Sequence, residues 1–92
     1  MAVLVMVEMK GATTEQYDRA NEILGHSSAA DIPGLICHTA AVTDDGLQIC
    51  DVWESADALQ SFVDNQLAAA LEQAGIPPAQ PRVLQVHYHE HA

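Results

Sequence analysis

The pattern of apolar and polar positions predicts one strand followed by one helix in the first part of the chain. A run of valine, leucine and methionine over residues 2–9 predicts a central strand that is buried on both faces. Apolar residues recur at three- and four-residue spacing from Tyr17 to Leu24 and predict an amphipathic helix. Threonine before this stretch and Gly25 after it are typical helix boundaries.

The second half of the sequence predicts two strands, a longer helix and a last strand. Residues 35–42 form the second predicted strand, and the Asp-Asp-Gly turn at 44–46 joins it to the third as a hairpin. Ser55 then begins a helix whose apolar stripe continues to Gly75. The last predicted strand covers residues 82–91.

This order of elements predicts an α+β fold of the ferredoxin-like βαββαβ type. It consists of a four-stranded antiparallel sheet with both helices on one face, in a single domain spanning residues 1–92. The chain is too short for two domains. Because the first strand is apolar on both faces, the uncovered sheet face cannot be fully polar, and we expect a second copy to cover it in a homodimer.

The charge balance excludes several classes of partner. Only Lys10, Arg19 and Arg82 oppose thirteen carboxylates, and the net charge is −10. We therefore expect neither nucleic acid nor an anionic membrane surface as a partner. Cys37 and Cys50 lack the paired spacing of a zinc site and are interpreted as buried free thiols in a reducing cytoplasm, with a disulfide between neighbouring strands as the alternative. The apolar N-terminal run is too short for a signal peptide or a membrane span, so a cytoplasmic location is expected.

Three segments carry a resemblance to a known family: VWESADALQSF, PGLICHTA and LAAALEQAGIPPAQPRVLQVH. Together they resemble the dimeric α/β-barrel superfamily, in particular its small antibiotic-biosynthesis-monooxygenase-like proteins, over nearly the whole chain. The resemblance implies two ferredoxin-like subunits packed sheet to sheet, each with a pocket between its sheet and its helices. Members include cofactor-free monooxygenases of quinone-forming pathways, haem-degrading enzymes, polyketide cyclases and lactone isomerases. The resemblance therefore indicates where a site lies and not which reaction it performs.

The sequence departs from the haem-degrading members of this superfamily. Those relatives place a tryptophan at the position of Phe62, a histidine near Leu71 and an asparagine in the first strand, and none of these is present. Haem degradation of that type is therefore not expected.

Two polar residues inside predicted strands are candidates for catalysis. His38 is the candidate general base, because imidazole titrates near neutral pH and its surroundings tune it; alternatively, it only bonds a neighbouring backbone group. Asp51 lies between Ile49 and Trp53 on one strand face, where a carboxylate needs donors or a raised pKa, and it is a candidate to orient the base. If that face opens to water, Asp51 is merely solvated.

Aromatic residues and C-terminal histidines supply the remaining candidates. Trp53, Phe62 and Tyr88 are candidates for substrate binding, with core packing and dimer contact as the alternative. The VHYHEH segment places His87, His89 and His91 on one face of the last predicted strand. A His-x-His pair can bind zinc or copper with a third ligand such as His38, although histidines at this position are often only solvated.

Two classes of function follow as hypotheses. The first is a small enzyme without an organic cofactor, of monooxygenase, cyclase or isomerase type, in which a base removes a proton next to a carbonyl of an apolar, aromatic or polyketide-like molecule in the sheet-helix pocket. The second is a non-catalytic dimer that binds a ligand or a partner protein, or a metal-binding protein that uses the C-terminal histidines. A cluster of histidine and carboxylate at a pocket favours the enzyme, whereas a pocket filled by Trp53, Phe62 and Leu67 favours the second class.

Overall fold

The computed structural model describes residues 1–26, 28–90 and 92, and it confirms the predicted ferredoxin-like architecture. The four strands form one antiparallel sheet in the order β2-β3-β1-β4. Their bounds are β1 (Val3–Lys10), β2 (Leu35–Thr43), β3 (Gly46–Trp53) and β4 (Arg82–Gln85). No helix among the described residues is long and apolar enough to cross a lipid bilayer.

The first helix, α1 (Thr14–Leu24), begins and ends at the predicted residues. Thr13 and Gln16 form a reciprocal capping box, in which each side chain accepts a hydrogen bond from the backbone N–H of the other, at 3.1 and 3.0 Å. Gly25 ends the helix in a left-handed conformation with φ of 73°. The local sequence is therefore sufficient to explain both ends of α1.

The second helix contains a local change of winding that the apolar spacing does not predict. It begins after Ser55, whose hydroxyl accepts from the N–H of Ala58 at 3.1 Å. The backbone stays in the right-handed helical region through three consecutive segments, which are α2 (Ala56–Phe62), a π-helical turn (Val63–Leu67) and α3 (Ala68–Gln73). The π-helical turn leaves the apolar stripe continuous, so the sequence pattern does not reveal it.

The two faces of the sheet differ in burial. The face under the helices carries the core, in which the exposed fractions of Val5 and Trp53 are 2% and 1%. On the opposite face, Leu4 and Met6 of β1 are only partly buried. The central position of β1 agrees with the prediction, but its burial on both faces is not achieved within one chain. We call the surface around Leu4, Met6, Cys50 and Leu84 the open face.

The last strand is shorter than predicted. It ends at Gln85 rather than at His91, because its partner β1 begins at Val3, directly opposite Gln85. The N–H of Val86 makes one more bond, to the carbonyl of Ala2 at 3.0 Å, and the sheet ladder stops there. The chain then passes beside Leu4 on the open face, so residues 87–90 do not alternate between two sheet faces as predicted.

Candidate active site

A bulge in β2 places His38 and Asp51 on the same face of the sheet. The register of β2 on β3 shifts by one residue between Leu35 and Cys37, and His38 then lies directly opposite Asp51. Without this shift, His38 would pair with Cys50 and its side chain would point to the open face. The bulge therefore determines that the imidazole and the carboxylate meet under the helices.

The carboxylate of Asp51 is held between two nitrogen donors. Nδ1 of His38 lies 2.5 Å from Oδ1 of Asp51, and Nε1 of Trp53 donates to Oδ2 over 3.2 Å. A carboxylate can only accept, so Nδ1 of His38 carries the proton in this contact. The neutral imidazole then presents the lone pair of Nε2 on the side away from Asp51.

Helix α1 supplies the partner of this lone pair. The hydroxyl of Tyr17 contacts Nε2 of His38 and can donate to it. The planes of the two rings are nearly parallel, at 6°, an orientation in which the hydroxyl can lie close to the plane of the imidazole. Tyr17 was missed as a functional residue at the level of sequence, because its spacing fits the apolar stripe of α1. Only the packing of α1 on the sheet brings its hydroxyl to β2.

The four side chains form a hydrogen-bonded chain that leads from the core to the surface. Trp53 is buried, while the side chains of Asp51 and His38 are 13% and 31% exposed. The contacts of His38 with Asp51 and with Tyr17 are both open to solvent. The inner end of the chain is therefore fixed by core packing, and the outer end can be reached by a small molecule.

Electrostatics make His38 a stronger base than an ordinary histidine. Its hydrogen bond to Asp51 raises the pKa of the imidazole, against an opposing effect of partial burial. Burial raises the pKa of the Tyr17 phenol, a side-chain hydrogen bond with Asn21 acts against this effect, and the negative charge of Asp51 adds to it. At neutral pH the phenol therefore keeps its proton and acts as the donor toward His38.

The three aromatic residues that were predicted to bind substrate lie in different parts of the structure. Trp53 and Phe62 pack against each other in the core, with ring centroids 5.5 Å apart. Tyr88 lies on the other side of the sheet, where it is 75% exposed and donates to Glu90 at 2.8 Å. The structure thus places Trp53 behind the Asp51 carboxylate and brings none of these three residues to Nε2 of His38.

The C-terminal histidines lie apart from His38. His87 and His89 line a shallow cavity with Leu4, Val52 and Leu84, so the sheet separates them from the proposed third ligand of the same chain. The strand face predicted to align them is not formed, because β4 ends first, and His91 lies outside the described residues. Among the described residues, no group of three His, Cys, Asp or Glu side chains could hold a metal ion. Zinc or copper binding by His87 and His89 stays a prediction.

Both cysteines are free, as the sequence predicted. Cys37 lies opposite Val52 and Cys50 opposite Thr39, so the two thiols are on neighbouring strands without facing each other directly. The predicted burial is wrong, because both thiols are only partly buried.

Comparison with known proteins gives a match in fold. No protein-family model matches the sequence, and no curated protein is significantly similar to it. Solved structures do match, and those covered over almost their full length include antibiotic biosynthesis monooxygenase-like proteins. The chain has their fold. This result confirms the resemblance seen in the sequence at the level of architecture.

Three of these structures show the range of the likeness. A candidate antibiotic biosynthesis monooxygenase from Chloroflexus aurantiacus is 22% identical, with 98% of each chain covered and a TM-score of 0.65. SnoaB, a cofactor-independent oxygenase from Streptomyces nogalater, is 17% identical, with 96% of this chain and 93% of SnoaB covered and a TM-score of 0.59. A dimeric ferredoxin-like protein from Jannaschia sp. CCS1 is 13% identical, with 94% and 100% covered and a TM-score of 0.61.

Proposed function

We propose that the protein is a small enzyme that removes a proton next to a carbonyl of an apolar, aromatic molecule, with His38 as the base. The observation that carries this proposal is the contact between His38 Nδ1 and Asp51 Oδ1 at 2.5 Å. A carboxylate in this position orients the imidazole, selects the tautomer with an unprotonated Nε2 and stabilises the imidazolium that forms on proton transfer. The three effects together are those required of a general base.

The product of this step is an enolate, which can cyclise, isomerise or react with dioxygen. The chemistry needs no organic cofactor, because the carbonyl of the substrate itself accepts the electron pair of the broken C–H bond. SnoaB is an oxygenase that works without a cofactor, and its shared fold supports a reaction of this kind here. A polyketide-like aromatic ketone fits this chemistry, because it carries acidic C–H bonds next to a carbonyl.

We also propose that the enzyme is a homodimer in the cytoplasm. The partly buried Leu4 and Met6 on the open face and the dimeric neighbour from Jannaschia support a second copy as the partner. The free thiols of Cys37 and Cys50 are the form that a reducing compartment maintains.

A non-catalytic role in binding a ligand or a partner protein is the second candidate, because core side chains occupy the space where a substrate pocket between the sheet and the helices was expected. Trp53 and Phe62 fill the space between the sheet and the second helix, with 1% and 9% of their surfaces exposed. A ring system in that space would need these two side chains to move. A ligand near Tyr17 and His38 would not.

Deuterium exchange of 2-tetralone, an aromatic ketone with an acidic α-hydrogen, tests the proposal. The protein in D2O should accelerate the loss of the α-proton signal in NMR spectra, and His38→Ala should reduce this acceleration by about 100-fold, within the range of general base catalysis. His26→Ala is the matched control, because that imidazole bonds Gln66 at 2.8 Å, away from the Asp51 carboxylate, and it should keep the wild-type rate.

Two results would contradict catalysis by His38. One is an equal rate for His38→Ala and the wild type. The other is a ligand that perturbs the NMR spectrum of the wild-type protein without any exchange above buffer, which would favour the binding protein instead.

A further inference from the structure

We infer that Tyr17 is the group that takes the proton from the substrate, while its own phenolic proton passes to Nε2 of His38. This inference rests on the proposed function of His38 and Asp51, and it changes which atom meets the substrate. The phenol oxygen of Tyr17 would be the base in contact with the substrate, and the imidazole would act one step behind it.

The occupancy of the His38 nitrogens leads to this assignment. Nδ1 is bonded to Asp51, so Nε2 is the single acceptor that the neutral imidazole has left. The Tyr17 hydroxyl contacts that atom. A substrate proton could reach Nε2 directly only after the phenol had moved away.

Packing makes such a movement costly. Tyr17 is partly buried on α1, and its ring packs against a core cluster under the sheet. The members of this cluster are Ala12, Ala20, Leu47, Ala74 and Ile76. Rotating the ring outward would expose this apolar contact to water, which is unfavourable. A relay through the hydroxyl needs no such rotation.

The proton balance of the relay is complete without any other reactant. The C–H bond of the substrate breaks, its proton binds Oη of Tyr17, and the phenolic proton moves to Nε2 of His38. The electron pair of the C–H bond remains on the substrate as an enolate. The resulting imidazolium faces the carboxylate of Asp51, and Tyr17 ends the step as a neutral phenol. Protonation of the product reverses the same path.

The alternative of a free phenolate at Tyr17 is disfavoured by its surroundings. Burial and the negative charges of Asp51 and Asp18 oppose ionisation of this phenol and outweigh the side-chain hydrogen bond with Asn21, so its pKa is raised. The phenol can accept a proton efficiently only if it gives one up at the same time. His38 is placed to receive that proton, and Asp51 to stabilise the charge that results.

Tyr17→Phe tests the relay, because it removes the hydroxyl and retains the ring that packs on the core. With 2-tetralone in D2O, the variant should exchange the α-proton about 100-fold more slowly than the wild type. The double variant Tyr17→Phe/His38→Ala should be no slower than His38→Ala alone. Two residues of one proton relay act jointly, so removing the second after the first causes no further loss of rate. Thermal unfolding of each variant verifies that the fold is retained.

The remaining outcomes show whether the relay alone is wrong or the proposed function as well. If Tyr17→Phe exchanges as fast as the wild type or faster while His38→Ala is slow, the imidazole acts directly and the relay is wrong. If the losses of the two single variants multiply in the double variant, Tyr17 and His38 act independently, and the relay is again wrong. If the wild type and His38→Ala do not differ, both proposals fall.

Discussion

Replacing Asp51 with asparagine is expected to slow the exchange of 2-tetralone by about 100-fold at neutral pH. Asparagine preserves the shape of the side chain but removes the negative charge that faces His38. The imidazolium formed by proton transfer then loses its stabilising partner. The hydrogen bond to Asp51 is also the main cause of the raised pKa of His38, so the variant should bring this pKa down.

The same variant should change how stability depends on pH. Since the pKa of His38 is raised in the folded protein, the folded state binds the proton more tightly than the unfolded state does. This contribution to the free energy of unfolding is fully present below the ordinary pKa of 6.5 and is lost as the pH rises through the folded-state pKa. The stability difference between the wild type and Asp51→Asn should therefore be larger at a pH below 6.5 than in alkaline solution.

Urea unfolding at a pH below 6.5 and in alkaline solution measures the difference in stability between the wild type and Asp51→Asn. Asp64→Asn is the matched control, because the Asp64 carboxylate accepts from Gln60 at 2.9 Å on the exposed helix surface and has no histidine partner in that contact. Its stability difference from the wild type should not show the same dependence on pH. A constant difference between the wild type and Asp51→Asn across this range would mean that the carboxylate does not stabilise the imidazolium.

The melting temperature of the wild-type protein is expected to rise with protein concentration, because we propose that folding and dimerisation are coupled. Leu4 and Met6 are only partly buried on the open face, and Leu84 is 40% exposed. If dimerisation covered about 600 Å² of apolar surface per subunit, burial at roughly 25 cal/mol per Å² would contribute about 15 kcal/mol of favourable free energy per subunit. That amount is comparable with or above the estimated cost of association.

A charge at the centre of the open face should disrupt this dimer. Leu4→Glu would place a carboxylate between the apolar side chains of Val52 and Leu84, which lie directly opposite it on the two neighbouring strands. This variant is expected to weaken association by at least 100-fold, measured by sedimentation. Val42→Glu is the control, because Val42 is 73% exposed at the end of the edge strand β2, and this variant should stay dimeric. A folded monomer at micromolar concentration, with the same melting temperature after a hundredfold dilution, would contradict the homodimer.

The sequence predicts the order and the ends of most elements because those features depend on local spacing. Thr13 and Gly25 terminate α1 through contacts within one helical turn, and Ser55 begins the second helix in the same way. The end of β4 is different, because it depends on the first residue of β1, some eighty positions earlier in the chain. Alternation within residues 82–91 contains no information about where the partner strand begins.

The candidate site is predictable from sequence in part. His38 and Asp51 stand out because each is a polar residue in an apolar strand, but their common face depends on the bulge between Leu35 and Cys37. Tyr17 gives no such signal, since a tyrosine in the apolar stripe of a helix is ordinary core packing. Its hydroxyl acquires a partner only when α1 packs over the sheet.

The titration of His38 tests the central claim, that its contact with Asp51 creates a base, most directly. Nitrogen NMR of the wild-type protein reports which ring nitrogen carries the proton and at which pH the second one is gained. We predict a proton on Nδ1, an unprotonated Nε2 in the neutral form and a pKa above the ordinary value of 6.5, which falls in Asp51→Asn. A neutral form protonated on Nε2, or a pKa that is the same in both proteins, would contradict it.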